Sequence, residues 1–339
     1  MLFYRKGWRL SHLSIIPDFF QRLTPDLGLL FSRKDIFMKL VRFVSPHGIR
    51  PGLWQEGGIV DLRAVFPDIP DIEEAFFEDG WLERLSIRKE TKMEGAVLQN
   101  ARLSFPVACP SKIICLGKNY AEHAKEGGFD APLRPLLFAK APSALNGPYD
   151  PIVLPRSSRD VDWEVELAVV IRKRCKRVSK ADAMDVVAGM TIMNDVSARQ
   201  AQFADSQWFR GKSFDTFAPM GPFLVTLDEI EDVGNLRLET LVNGVTMQDG
   251  STRDLIFDIP TLIENISEDI TLMPGDIIST GTPAGVGFFR NPPIVLRAGD
   301  VVECRISGLG ALINPVVSEM QEPVARSLKS GVRRKAVDT

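Results

Sequence analysis

The chain has 339 residues, 45% of them hydrophobic and 25% charged, with a formal net charge of -3; that is enough apolar material for one large domain and a smaller one. The charge balance gives no electrostatic case for nucleic acid, and no apolar run reaches the ~18 residues that would span a bilayer. Four cysteines, Cys109, Cys115, Cys175 and Cys304, show neither zinc-ligand pairing nor dense disulfide spacing, which predicts free thiols in a reducing compartment.

Residues 1–37 carry Arg5, Lys6, Arg9, Arg22, Arg33 and Lys34 against Asp18, Asp26 and Asp35. Pro17, Pro25 and the aspartates interrupt the acid-poor amphipathic helix of a transit peptide, and there is no secretory apolar core with a small-residue cleavage site. The stretch therefore reads as an extension, with Met38, at the head of the strand-like MKLVRF, as a candidate native start. Between 38 and 108 the short strands KLVRFV and GGIVDLR precede acidic helical material from Ile72 to Arg88, the pattern of a small α+β domain. From 109 to 318 many strand-like runs, among them KIICLG, ELAVVI, GPFLVTL, LRLETLVNG, DIISTG and DVVECRI, are divided by Gly, Pro and Asn-Gly turns, which predicts a β-rich domain with few helices. Residues 319–339 are polar and basic without periodicity, and are expected to form a disordered tail.

Within GKNYAEHAKEGGF the residues predict a short helix with Asn119 at its N-cap, Glu122 as capping-box partner and Gly127-Gly128 as its stop. His123 and Glu126, three residues apart, are neighbours on that helix, so the carboxylate can orient the imidazole for general-base work; a plain surface pair is the alternative. The other histidines, His12 and His47, lie outside the β-rich domain. In VDWEVELAVVI the carboxylates of Asp162, Glu164 and Glu166 take one phase of a strand and Val161, Trp163, Val165 and Leu167 the other. Such a face is ordinarily solvated, but Asp195 in MNDVSARQ adds a third acid, and an all-oxygen set suits a hard divalent cation. Lys212, in the presumed loop GKSFDTF, is placed to face charge developing on oxygen. Lys140 in LLFAKAP offers an anion contact or simple exposure, and TGTPAGVGF (280–288) offers either a nest of backbone N–H groups or plain turns.

Taken in order, GKNYAEHAKE, LFAKAPSALNGPYD, VDWEVELAVVI, NDVSARQAQ, GKSFDTFAPMGP, VNGVTMQDGST and PGDIISTGTPAGVG closely resemble the fumarylacetoacetate hydrolase family over about 109–317. The resemblance implies an α+β, β-rich fold: a mixed β-sheet roll or sandwich of that family's C-terminal type, with a small N-terminal α+β domain. It implies magnesium or manganese, with calcium a further candidate, held by Glu164, Glu166 and Asp195. His123 and Glu126 take the place of the dyad on a mobile lid, Lys212 of the lysine that stabilises enolate or oxyanion charge, and Gln202 of the glutamine that orients substrate or water. Lys140, Thr282 and Tyr120 are the substrate-binding candidates, and Thr216 matches a threonine near the metal in some members. QAQ (200–202) departs from the more usual acidic first residue of that triplet, which bears on substrate preference.

These parts imply a divalent-metal-dependent enzyme acting on 2-oxo or 1,3-diketo acids through a metal-stabilised enolate, most directly by carbon–carbon hydrolysis of an acylpyruvate or fumarylacetoacetate type of substrate. The alternatives are decarboxylation or tautomerisation of oxaloacetate, and isomerisation or hydration of 2-hydroxyhepta-2,4-diene-1,7-dioate. A metal-dependent binding module is the non-enzymatic alternative, against which the dyad and lysine argue. A homodimer with a small-molecule 2-oxo acid partner, in the cytoplasm or, for a eukaryotic source, the mitochondrial matrix, completes the expectation.

Overall fold

The apolar runs KLVRFVS, VELAVVI, VAGMTIMN and APMGPFLV set the frame. In a computed structural model, which describes residues 38–55, 58–86 and 97–319, all four become strands of one mixed sheet: Lys39–Ser45, Val165–Ile171, Val187–Asn194 and Ala218–Val225. Among the described residues this sheet has twelve strands. Its main path runs from Val97–Leu98 through Gly58–Asp61, Gly48–Gln55 and Lys39–Ser45 to Ala218–Val225, Val187–Asn194 and Val165–Ile171, and then to Ile277–Ser279, Ile113–Gly117 and Leu136–Lys140. Every pairing on that path is antiparallel except the parallel register Ile277–Ser279 against Ile113–Cys115.

A second, five-stranded sheet is ordered Val245–Ser251, Arg237–Val242, Val301–Ile306, Gly310–Ser318 and Ile152–Leu154. It covers one face of the large sheet. Leu167, Val169 and Ile171 meet Leu238, Val302, Cys304 and Leu312 in one core, while Ala168 and Val170 join Phe76, Phe77, Leu82 and Leu85 in another. Burial on both faces explains why VELAVVI reads as a nearly continuous apolar run rather than an alternating one. The architecture is thus the β-rich α+β sandwich that the sequence predicts.

The acidic helical material around 72–88 takes the form of two short helices, Glu74–Glu78 and Trp81–Ser86. Gly80 between them sits at φ 69°, a left-handed turn that ends the first helix. The strands after Met38 do not stand apart from the rest, because Lys39 and Leu40 pair with Val225 and Leu224. The boundary near 108 therefore crosses a continuous sheet. The expected extension 1–37, the start at Met38 and the tail beyond Glu319 lie outside the described residues. No helix among those described is long and apolar enough to cross a membrane, and the four cysteines are free thiols.

Asp276 fastens the one parallel pairing on the path. Its buried carboxylate accepts hydrogen bonds from Ser111 Oγ at 2.6 Å, Lys112 N at 3.1 Å and Met273 N at 2.7 Å, and it pairs with the Lys112 ammonium. Asp276→Ala strands those donors and is expected to cost about 3 kcal/mol, with Ser111→Ala costing about 1 kcal/mol, both read from urea midpoints. An Asp276→Ala loss no larger than that of Ser111→Ala would show that the pairing is held by something else.

Candidate active site

The VDWEVELAVVI segment is not one strand. Val161–Asp162 pairs with Ser197–Ala198 in a separate ribbon, and the large sheet takes over at Val165. At the break, Trp163 turns into the core and donates from Nε1 to Gly285 O at 3.3 Å. Glu164 N donates to Asn194 Oδ1 at 3.0 Å, and Asp195 N donates back to Glu164 O at 2.8 Å. This crossed pair of bonds sets Asp195 beside Glu164. The solvated-face reading is overturned, because Asp162, Glu164 and Glu166 are only 0%, 4% and 1% exposed. One oxygen each from Glu164, Glu166 and Asp195 lies within 4.8 Å of the others.

Three buried cations hold this acid cluster. Lys212 Nζ stands 2.7 Å from both Glu164 Oε2 and Asp195 Oδ2, Lys140 Nζ is 2.6 Å from Asp195 Oδ1, and Arg199 Nη2 is 2.6 Å from Glu164 Oε1. Arg199 also donates through Nε to Asp162 Oδ1 at 2.7 Å and through Nη1 to Gln202 Oε1 at 3.0 Å. Lys212 ends a short helix, Phe209–Lys212, rather than lying in a loop. Gly211 makes that position possible, since a β-carbon there would fall 2.6 Å from Gln202 Cα. Lys140, for which simple exposure was an alternative, is 1% exposed and locked to Asp195.

Burial alone would raise the Glu164 carboxyl, but Lys212 and Arg199 outweigh it and hold the group well below the usual carboxylate range. Burial, reinforced by Asp195 and Glu164, pushes Glu166 well above that range; its own partners are Ser279 Oγ at 2.5 Å and Gly281 N at 3.1 Å. Lys212 stays on the protonated side: burial lowers it, and Asp195 and Glu164 more than compensate. Four buried carboxylates, counting Asp162, thus face three buried cations. The surplus charge falls on the acid with no cation of its own, and the donor set fits a hard divalent cation.

The cluster forms the floor of a narrow cleft lined by Glu164, Glu166, Arg199, Gln202, Lys212, His123 and Thr282, with Phe129, Phe138, Phe203, Trp208 and Phe289 as walls and Lys118 beside them. His123 sits on the helix Ala121–Glu126, its ring centroid 6.0 Å from that of Phe289. Its Nδ1 lies 3.5 Å from Glu126 Oε2 without hydrogen-bond geometry and is buried without a partner. Glu126 instead accepts from Gly285 N at 3.0 and 3.1 Å, which pins the helix to the TGTPAGVG loop. The helix is capped at Tyr120, not Asn119. The Asn119 side chain works harder elsewhere: Nδ2 donates to Thr280 O and Phe257 O while Oδ1 accepts from Phe257 N, tying this segment to the same loop.

The structure brings His123, Glu164, Glu166, Gln202, Lys212 and Thr282 to one cleft, with Lys140 and Asp195 directly beneath. Tyr120 is buried with an unpartnered hydroxyl and does not line the cleft. Thr216 is not brought to the cluster either, its Oγ1 accepting from Val153 N at 2.9 Å. Arg199 and the aromatic walls escaped the sequence reading. The signal for Arg199 was its place four residues after Asp195, on the turn that starts the helix Arg199–Gln202.

The family profile described as fumarylacetoacetate (FAA) hydrolase C-terminal matches residues 112–317. The oxaloacetate tautomerase FAHD2A, mitochondrial, of Bos taurus is 46% identical over 288 residues, covering 83% of this chain and 92% of that one. A putative HpcE protein from Mycobacterium smegmatis superposes with a TM-score of 0.76 at 33% identity, covering 83% of this chain and 99% of that chain. The maleylpyruvate hydrolase from Sphingobium sp. SYK-6, solved with manganese(II) and pyruvate, gives a TM-score of 0.68 at 35% identity, covering 84% of this chain and 100% of that chain.

Removing the acid that lacks a counter-cation should remove the ion while relieving repulsion. Glu166→Gln is expected to weaken manganese binding by about 100-fold in calorimetry while the melting temperature holds or rises. Unchanged affinity would place the ion on other residues.

Proposed function

Because the chain belongs to the fumarylacetoacetate hydrolase family, we propose that it is a divalent-metal-dependent enzyme that interconverts the keto and enol forms of a 2-oxo acid, oxaloacetate first among the candidates. The observation that carries this reading is the buried Lys212 ammonium. An ammonium has three N–H donors, and Glu164 and Asp195 take two of them. Among the described residues no acceptor takes the third, and Lys212 lines the cleft, so in this reading that donor stabilises negative charge that builds on a keto oxygen as the neighbouring carbon loses a proton.

Glu164, Glu166 and Asp195 would hold the metal ion. When bound it supplies Lewis-acid polarisation of the keto group. The residues of the chain do the rest. His123 takes the proton from the carbon beside the keto group, so that a C–H bond breaks, and the proton is returned to the oxygen of the same molecule as the O–H of the enol; nothing is gained or lost overall. Gln202 has its Oε1 engaged by Arg199, so it presents its amide N–H groups to the cleft as donors. The aromatic walls make the surroundings less polar, which strengthens both interactions. The relative named for oxaloacetate tautomerisation, 46% identical across nearly its whole length, supports this choice of reaction.

Hydrolysis of an acylpyruvate-type carbon–carbon bond is the second reading. The nearness of His123 to Glu126 and the likeness to a maleylpyruvate hydrolase favour it. In that case His123 deprotonates water, the oxygen bonds to the acyl carbon, and the electron pair of the broken bond passes to the pyruvate enolate. The free thiols fit a reducing compartment, cytoplasm or mitochondrial matrix, and the family resemblance carries the expectation of a homodimer.

With magnesium present the enol absorbance of oxaloacetate should decay faster in proportion to enzyme, and chelator should abolish the effect. Lys212→Met is expected to lower kcat by roughly 100-fold or more. Full activity in that variant would remove Lys212 from the chemistry, and release of pyruvate from acylpyruvates without any enol decay would select hydrolysis instead.

A further inference from the structure

Of the lysine and arginine side chains lining the cleft, two are consumed. Arg199 is divided among Asp162, Glu164 and Gln202, and Lys212 bridges Glu164 and Asp195. Lys118 differs. Among the described residues no carboxylate lies within ion-pair distance of its ammonium, whose recorded contact is the face of Phe129, 3.6 Å from the ring centroid. It stands half-buried among the aromatic walls.

Its backbone is held in place at a cost. Lys118 has φ 58°, a left-handed conformation that is unfavourable for a residue with a β-carbon. The strand Ile113–Gly117 fixes it on one side, and Asn119, with three side-chain hydrogen bonds to Phe257 and Thr280, fixes it on the other. Gly117 lets the wall close behind it, since a β-carbon there would meet the Trp208 ring at 2.6 Å. The result is an uncompensated cation beside an apolar wall, above a floor whose own cations are already paired. A cation in such low-polarity surroundings attracts an anion more strongly than one in open water.

We propose that Lys118 reads the distal carboxylate of the substrate, so that the enzyme selects 2-oxo dicarboxylates over 2-oxo monocarboxylates; the assignment of the second carboxylate to Lys118 rests on the functional reading given above. The proximal carboxylate and keto group lie at the acidic floor, and the far end of the molecule meets Lys118 against Phe129. Phe129 holds the ammonium by its ring face without neutralising it.

The test compares oxaloacetate with its 4-methyl ester on the magnesium-loaded full chain, by kinetics and by calorimetric binding. Lys118→Met should raise KM and Kd for oxaloacetate roughly 10- to 100-fold, the range for a lost bond between charged groups. It should leave kcat within about 2-fold and leave the ester unaffected, while Lys118→Arg keeps most of the preference. Equal weakening of both compounds, no change in either, or wild-type protein that binds them equally or not at all overturns the role of Lys118. If the wild type favours oxaloacetate through Lys118 but turns over neither compound, the carboxylate assignment stands and the tautomerase reading falls.

Discussion

An imbalance of buried charge governs this molecule. Four largely buried carboxylates are gathered around Arg199, Lys212 and Lys140, which leaves Glu166 short of a positive neighbour. Stripping a carboxylate of water costs several kcal/mol unless a partner compensates. Each of the other three acids has a cation within 2.7 Å. A proton or one more cation neutralises the remaining carboxylate, and the all-oxygen donor set suits a hard divalent one.

The scaffold around that point explains how the acids are brought so close. The floor comes from strands of a sheet buried on both faces, where side chains have little room to relax, and two hydrogen bonds, Glu164 N to the Asn194 side chain and Asp195 N to the Glu164 carbonyl, fix the acids at the ends of neighbouring strands. The covering elements are different in kind. The His123 helix is a turn and a half long, held through Asn119 and Glu126 to the loop that follows Ser279. That loop also contacts Trp163 and Asp162 through Gly285 and Phe288. Floor and cover therefore share partners, and a shift in one is felt by the other.

The fold class was legible because strand-length apolar runs between glycine and proline turns have few solutions other than stacked sheets. The acid triad was legible as residue types in an order. Less was visible where a role depends on what lies opposite. Lys140 looks like any lysine after an apolar strand, and only the approach of Asp195 shows it to be buried. Asn119 has the spacing of a helix cap, yet a residue 161 positions away claims its amide. Arg199 carries no local mark of its three partners.

By itself the sequence determined the β-rich class, most of the strands and the supply of acidic, basic and imidazole groups, since these follow from short-range periodicity and composition, while the sandwich architecture came from the family resemblance. Only the tertiary structure decided which charges are spent on one another and which remain for a ligand. That division depends on distances between segments far apart in the chain and on the exclusion of water, and neither quantity has a local signature: Lys212 and Lys118 are both lysines near a glycine, one satisfied in the floor and the other unneutralised in the wall.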